Sequence, residues 1–207
     1  MAGSDVRAIT FLNNLSANTT SLANAATTSG TASLSLKDAA GTGAFHSTGQ
    51  SCKVTLTSSG NLSARTVTIT GTDIAGNTQT EDITGPNNET VTSTKFYDTV
   101  TSIAGNASLG SAMSAGNAAG TTGGKAKVFG GRTRLRGMHI TTGGNIGDIS
   151  FFNTTPTTGT ALFSIKVATT TKDYIDPYIP DEGLVFSGGC YVDLPAGTAV
   201  SATMFFN

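Results

Sequence analysis

The sequence contains no tryptophan, two cysteines and two histidines, and only 12% of its 207 residues are charged. An average soluble domain carries about 25% charged residues. Glu, Lys, Gln and Arg, the residues that favour helices on exposed faces, are therefore scarce. This scarcity argues against a helical bundle, a coiled coil and a doubly wound α/β enzyme.

Long apolar runs are also missing. The longest apolar stretches, such as Gly183–Phe186 and Met204–Phe206, fall far short of the roughly 20 residues that a membrane helix needs. Residues 1–20 contain one arginine and no apolar core, so we expect no secretory signal. The formal net charge of −1 offers no global field to nucleic acid or to an anionic membrane. We therefore expect neither a membrane nor nucleic acid as a partner.

Threonine and glycine dominate what is present, with 37 Thr and 26 Gly. Threonine suits pleated, half-buried strands, and glycine suits tight turns. The expected fold class is all-β, with two β-sandwich or jelly-roll-like modules preceded by an extended N-terminal arm. The predicted boundaries are 1–30 for the arm, 31–124 for a sandwich-like domain that ends in a long Gly/Ala/Ser loop, and 125–207 for a C-terminal sandwich or jelly-roll-like domain.

Alternating apolar residues predict a hairpin near the start of the first domain. Lys53–Thr57 and Arg65–Thr70 both alternate apolar and polar side chains, and Ser58–Asn61 between them has turn composition. We therefore expect these two strands to pair with each other around that turn.

Three other local patterns carry expectations. Phe96, Val100 and Ile103 have the i, i+4, i+7 spacing of a short helix. Gly105–Gly124 is rich in Ala, Gly and Ser and predicts a long loop. Val200–Phe206 is a strong strand pattern, and we expect it to be tucked into a sheet.

Groups that could carry chemistry are few. His46 lies in a Gly/Thr/Ser turn region and His139 in a strand, and both are expected to be structural. Cys52 and Cys190 are expected to be buried free thiols, with a disulfide as the alternative if the fold brings them together. Zinc sites need Cys and His at short spacings, and no second pair follows His46 and Cys52. We predict no catalytic residue, no metal and no cofactor, and hence no enzyme and no small-molecule substrate.

The most distinctive charge feature is a basic segment. It holds five of the 12 cations of the chain within 12 residues: Lys125, Lys127, Arg132, Arg134 and Arg136. Alternate side chains of a strand share one face, so the three arginines are expected on one face and Thr133 and Leu135 on the other.

Three interpretations of the arginines stay open. They form a solvated strand face kept apart by counter-charges, or a stripe that contacts an acidic protein neighbour, since arginine pairs in a plane with carboxylates. The neighbour could be the acidic segment of another copy, whose members are Asp173, Asp176, Asp181 and Glu182. The third interpretation, contact with nucleic acid, is disfavoured because Phe129 is the one aromatic residue nearby.

The predicted arm has apolar side chains scattered among Asn, Ser, Thr and Ala, and Ser16–Gly30 is of low complexity. We expect little core within it, so its apolar residues would need a neighbouring surface on which to order. The candidate contact residues of the arm are Ile9, Phe11, Leu12 and Leu15.

Two parts of the chain resemble patterns of the virion structural proteins of tailed bacteriophages. The first is Thr66–Pro86, with the turn Gly-Thr-Asp-Ile-Ala-Gly-Asn and the ending Thr-Glu-Asp-Ile-Thr-Gly-Pro, followed by Val91–Phe96 and Val100–Ile103. The second, Gly183–Leu194 with Ala199–Phe206, is similar to the closing strands of phage head- and tail-associated modules. The resemblance implies a non-enzymatic protein of the virion and carries over no catalytic residue.

The expected function is that of a capsid decoration, or cement, protein on the capsid surface, assembled in the host cytoplasm. Its expected partners are the major capsid protein and copies of itself, with a trimer as one option. One alternative is a tail, neck or head-fibre component. Another is a receptor- or glycan-binding module, for which Tyr174, Tyr178 and Asp176 could form a platform, although tryptophan is absent.

Overall fold

The computed structural model describes residues 5–12, 16–37, 50–119, 123–142, 147–154, 159–167, 173–196 and 200–207. Over these ranges the chain forms antiparallel β-sheets, which confirms the all-β, sandwich-like class. The strands are β1 (Arg7–Leu12), β2 (Asn18–Thr28), β3 (Gln50–Asn61), β4 (Thr66–Thr72), β5 (Thr78–Thr84), β6 (Asn87–Tyr97), β7 (Thr99–Gly105), β8 (Leu109–Asn117), β9 (Gly124–Phe129), β10 (Thr133–Thr142), β11 (Gly147–Phe152), β12 (Phe163–Val167), β13 (Asp173–Ile175), β14 (Leu184–Phe186), β15 (Cys190–Leu194) and β16 (Val200–Phe206).

The chain divides into two compact units. Unit 1 comprises Met1–Leu15, Thr48–Gln50 and Gly120–Asn207, and unit 2 comprises Ser16–Ser47 and Ser51–Ala119. The segment expected to be a single arm is therefore shared, because β1 belongs to unit 1 and β2 to unit 2.

Unit 1 contains two layers of strands. One follows the order β1-β16-β10-β13 with β14 also on β10, and the other follows β12-β11-β15-β9. Apolar side chains from both layers form one buried cluster, to which most strands contribute alternate residues. The members include Phe11, Ala126, Leu135, Ile140, Phe151, Phe186, Val192 and Met204.

The C-terminal strand lies inside the first layer of unit 1. β16 pairs with β1 on one side and with β10 on the other, which confirms the expectation for Val200–Phe206. The neighbouring surface that β1 was expected to need is supplied by this chain itself, because Phe11 of β1 is fully buried in the unit 1 cluster. Its pairing with β16 turns the ring into the sandwich, which single-sequence spacing could not indicate.

Unit 2 contains the layers β2-β8-β3-β6 and β5-β4-β7. Its buried cluster is largely aliphatic, and Val67 and Ile69 in β4 alternate with more accessible threonines as the sequence predicts. The members include Leu22, Val54, Leu56, Val67, Ile69, Tyr97, Val100, Ile103 and Met113.

The expected hairpin of Lys53–Thr57 with Arg65–Thr70 does not form. β3 continues through Ser58–Asn61 and pairs with β6 and β8. β4 pairs instead with β5 and β7. The polar residues expected to turn the chain are held by strand partners, as Ser58 shows by donating its hydroxyl to the Ala112 carbonyl at 2.8 Å.

Two further expectations in unit 2 are wrong. Strand β8 occupies nine residues in the middle of the predicted loop Gly105–Gly124, and its second half is buried. The helical spacing of Phe96, Val100 and Ile103 is a coincidence, because these residues lie in β6 and β7 on either side of a bend at Asp98.

Small residues allow β2 and β8 to lie close together. A Cβ atom on Gly116 would lie 1.7 Å from the Asn18 carbonyl oxygen, so glycine permits the two backbones to approach. Leu22 and Ala23 of β2 are buried in the unit 2 cluster. The low-complexity stretch Ser16–Gly30 was expected to be an arm or linker, but it is mostly strand β2, whose buried residues pack on the other strands of unit 2.

Candidate functional site

The two thiols are buried and free, as expected, with Cys52 in unit 2 and Cys190 in unit 1. Burial raises the pKa of Cys190 to about 12. Burial, and then the negative charge of Asp98, raise the pKa of Cys52 as well. Because the thiolate is the nucleophile, both side chains are poor nucleophiles at neutral pH. His46 lies outside the described residues.

Among the described residues, no group of three or more His, Cys, Asp or Glu side chains is arranged to hold a metal ion. The same residues include no helix with the length and hydropathy needed to span a bilayer.

The arginine segment has the predicted alternation. Thr133 and Leu135 are buried, whereas Arg132 is exposed and Arg134 and Arg136 are partly buried. The three arginines therefore lie on the outer face of β10 and of the residue before it.

The acidic residues that meet these arginines belong to the same chain. β14 pairs with β10, and Gly183, with φ +70°, turns the preceding residues back toward the arginines. The Arg134 guanidinium donates to the Glu182 carbonyl at 2.6 Å, and its Nη1 lies 3.7 Å from the Glu182 carboxylate. Arg136 donates to the Asp181 carbonyl. Both guanidinium groups are thus anchored chiefly on backbone oxygens.

The two lysines lie on a different layer of unit 1 from the arginines. Lys125 and Lys127 are in β9, and Lys125 forms an ion pair with Asp193 directly opposite it in β15. The five cations therefore do not form one continuous stripe.

His139 lies beside Tyr174 and Asp176 at the surface of unit 1. The imidazole Nδ1 lies 2.7 Å from the Asp176 carboxylate, and the ring is stacked near Tyr174 with centroids 5.9 Å apart. The pairing of β10 with β13 brings these residues together. Tyr174 is 72% exposed and Tyr178 is 86% exposed. The sequence indicated Tyr174, Tyr178 and Asp176 but not the histidine that contacts Tyr174 and Asp176. The side chain of Asp173 lies outside the described residues.

A cavity of about 370 Å³ lies at one end of unit 1. The sequence indicated only one of its residues, Arg132, as a candidate. Phe129 and Arg132 are close in sequence and could have indicated part of the cavity. The other lining residues lie far apart in the chain. The lining residues are Asp5, Arg7, Phe129, Arg132, Thr133, Phe206 and Asn207.

The candidate contact residues of the arm differ in how deeply they are buried. Phe11 is buried and Ile9 is half-buried against the unit 1 cluster, so Phe11 is unavailable to a partner in this state. Leu15 and the side chain of Leu12 lie outside the described residues.

Large apolar side chains at the described surface are concentrated in unit 1. Side chains from several of its strands and loops are at least 38% exposed. They are Val6, Phe129, Leu162, Tyr174, Tyr178, Val185 and Phe205.

Comparisons with models of protein families, with curated proteins and with solved structures find no match to this chain.

Proposed function

We propose that the chain is a structural protein of a tailed-bacteriophage virion and acts as a capsid decoration protein. The observation that carries the proposal is the confinement of the exposed large apolar side chains, among the described residues, to unit 1. Isolated exposed apolar residues are ordinary, but an unequal distribution between two units of similar construction favours a contact role. The proposed assembly, a tailed-bacteriophage virion, comes from the sequence resemblance.

The rest of the described surface suits a lattice protein. Threonine hydroxyls bond across neighbouring strands, as in Thr57 with Thr90 at 2.8 Å and Thr10 with Thr203 at 2.9 Å. Hydroxyl groups that already have partners lose less on being covered than charged groups do. The proposed partners are the major capsid protein and copies of this chain, and many weak contacts would add through the lattice.

The copy number in purified virions tests the proposal. A decoration protein is expected in numbers set by the capsid lattice, measured by quantitative mass spectrometry against the major capsid protein. A few copies per particle would favour a tail, neck or head-fibre component instead. Absence of the chain from mature particles would contradict the virion assignment altogether.

A second candidate, a receptor- or glycan-binding module, is favoured by one specific cluster. Tyr174 and Tyr178 are highly exposed, and His139 is in contact with both the Tyr174 ring and the Asp176 carboxylate. Aromatic faces with adjacent hydrogen-bonding groups are suited to sugar rings. A glycan array with Tyr178→Ala tests this function, with Leu162→Ala, next to β12 in the other layer of unit 1, as the control. Loss of a binding signal in Tyr178→Ala alone would support it, and no signal from the unmodified chain would contradict it.

A further inference from the structure

Tyr178 is the most exposed of the large apolar side chains in the described part of the chain, at 86%. Pro177 and Pro180 lie on either side of it, and each fixes its own φ angle and restricts the residue before it. Ile179, the next residue, packs against the unit 1 cluster. The phenol ring is therefore presented to solvent by a backbone of restricted freedom.

Both ends of the segment that carries Tyr178 are bonded to β10. At its start, the Asp176 carboxylate lies 2.7 Å from His139 Nδ1. At its end, the Arg134 guanidinium donates to the Glu182 carbonyl at 2.6 Å. A side chain on a fixed segment loses less conformational freedom when it enters a contact, and tyrosine is enriched among the residues that dominate protein–protein binding. Tyr178 therefore has the properties of a docking residue.

The ring of Tyr178 is also uncommitted within the chain. Among the described residues it has no hydrogen bond and no ring contact. The ring of Tyr174, in contrast, is stacked near His139. Of the two exposed tyrosines, Tyr178 is thus the one whose ring is free to enter a second molecule.

The cavity of about 370 Å³ is an aromatic-lined recess on the same unit. Phe129, the last residue of β9, is 40% exposed there, and its ring centroid lies 5.9 Å from that of Phe206. β1 begins at the cavity with Arg7, and β10 begins there with Thr133. The recess is large enough for an aromatic side chain and is held by regular strands, which position side chains more precisely than loops do.

The charges that line the cavity balance. Arg7 and Arg132 are matched by Asp5 and by Asn207, which carries the α-carboxylate of the 207-residue chain. The lining therefore favours a neutral ring with a polar end over a further charged group. Guanidinium groups attract the face of an aromatic ring, carboxylates accept a phenolic hydrogen bond, and the Phe129 ring offers an aromatic contact.

We propose that Tyr178 of one copy of this chain inserts into the cavity of a second copy. The phenol ring packs on Phe129 beside Arg132, and its hydroxyl donates to a carboxylate of the lining. The occupant is a second copy, because the chain itself presents the neutral, hydrogen-bonding ring that the balanced aromatic lining accepts. Copies of this chain are among the proposed partners, and the role of the contact on a capsid rests on the proposed function.

Sedimentation velocity of the whole chain over a concentration series, with no other protein present, tests the contact. Tyr178→Ala removes the inserted ring, and Phe129→Ala removes the ring that receives it. Arg132→Ala, at an exposed position, is a second cavity variant that serves if the loss of Phe129 unfolds the chain. Tyr174→Ala removes an exposed ring from the same part of unit 1 and is the matched control. Thermal unfolding of each variant shows whether it is folded.

The expected result is concentration-dependent association of the unmodified chain. Tyr178→Ala and either cavity variant should each weaken it by about tenfold or more, because an aromatic anchor or its partner is lost. An equal mixture of Tyr178→Ala with a cavity variant should associate more strongly than either variant alone, because the first keeps the cavity and the second keeps the ring. Tyr174→Ala should associate as the unmodified chain does.

Four results would overturn the contact between copies. They are a chain that stays monomeric at its highest soluble concentration, unchanged association in Tyr178→Ala, an equal loss in Tyr174→Ala, and a mixture that associates no better than its components.

The two proposals fail separately. Association through Tyr178 by a chain that is absent from virions would overturn the proposed function alone. A chain abundant on virions that gives any of those four results would overturn the contact alone.

Discussion

Units 1 and 2 are both made of antiparallel sheets around one apolar cluster, but the clusters differ in composition. The buried cluster of unit 1 contains the four phenylalanines Phe11, Phe151, Phe186 and Phe206. That of unit 2 is built from Leu, Ile, Val, Met and Ala, with Tyr97 as its one aromatic member among the described residues. The Tyr97 hydroxyl reaches the Ile69 carbonyl at 3.4 Å.

The surfaces of the two units also differ in how many large apolar side chains they expose. The described surface of unit 2 has polar turns, such as that of Asp73, whereas unit 1 exposes all seven of the large apolar side chains that are exposed among the described residues. Unit 2 thus illustrates that a sandwich of this composition can form with its large apolar side chains covered. The exposure in unit 1 is therefore not imposed by this composition, and it is the observation on which the proposed partner contact rests.

The largest expected effect is in the aromatic core of unit 1. Phe151 is fully buried and stacks on Phe163 with centroids 4.4 Å apart. Phe151→Ala should lower the free energy of unfolding by about 3–5 kcal/mol, because the ring leaves a cavity. Phe205→Ala, on the 38% exposed Phe205, should cost less than about 1 kcal/mol. Urea unfolding measures both, and equal losses would contradict the difference between core and surface in unit 1.

The next largest loss of stability is expected in unit 2, where the backbones of β2 and β8 lie close together. Gly116→Ala should lower the free energy of unfolding by about 3 kcal/mol, because its Cβ would collide with the Asn18 carbonyl of β2. Gly110 lies in the same strand with open space around it. Gly110→Ala is therefore the control, and we expect a change within about 1 kcal/mol. Similar denaturation midpoints for the two variants would mean that β2 does not lie against β8.

A smaller loss is expected at the turn between β4 and β5. The Asp73 carboxylate accepts hydrogen bonds from the backbone N–H groups of Ala75 and Asn77, both at 2.9 Å. Asp73→Ala should cost about 2 kcal/mol, because these amides lose a charged acceptor. The exposed Asp82 accepts from the Thr68 hydroxyl, and Asp82→Ala should cost less than about 1 kcal/mol. Thermal melts should rank the variants in this order, and the reverse order would contradict the assigned turn.

The smallest effect concerns pH and tests whether each unit buries its thiol. The pKa of Cys190 is raised from 9.0 to about 12, and that of Cys52 is raised as well. At a pH between the ordinary pKa of a thiol and its raised pKa in the folded state, the unfolded chain loses the thiol proton and the folded chain keeps it. Stability should therefore be unaffected below pH 8 and should fall by about 1 kcal/mol per thiol near pH 10.

The double variant Cys52→Ala with Cys190→Ala is the control for this titration. Its unfolding free energy should change less between pH 8 and pH 10 than that of the unmodified chain. An equal slope in both proteins would mean that the thiols are accessible in the folded state.

Alternation of residue types was the part of the fold that the sequence could predict. Val67 and Ile69 are buried as their spacing indicates, and the arginines before and within β10 share a face. Both patterns are local, because a strand exposes its two faces in turn.

The remaining features depend on contacts that are distant in sequence. β8 resembles a loop because its small residues are selected by the neighbouring backbone of β2, as Gly116 shows. The cavity of unit 1 combines Arg7, Phe129, Arg132 and Phe206. No local spacing links these residues, and only the pairing of β1 with β16 and the packing of the two layers bring them together.

Hydrogen–deuterium exchange of the chain on purified virions, compared with the free protein, tests most directly whether unit 1 provides the contact surface. Slower exchange is expected on the particle in the exposed apolar parts of unit 1, including residues 174–185 and 203–206, with unit 2 unchanged. Protection confined to unit 2, or equal exchange in the free and particle-bound chain, would contradict it.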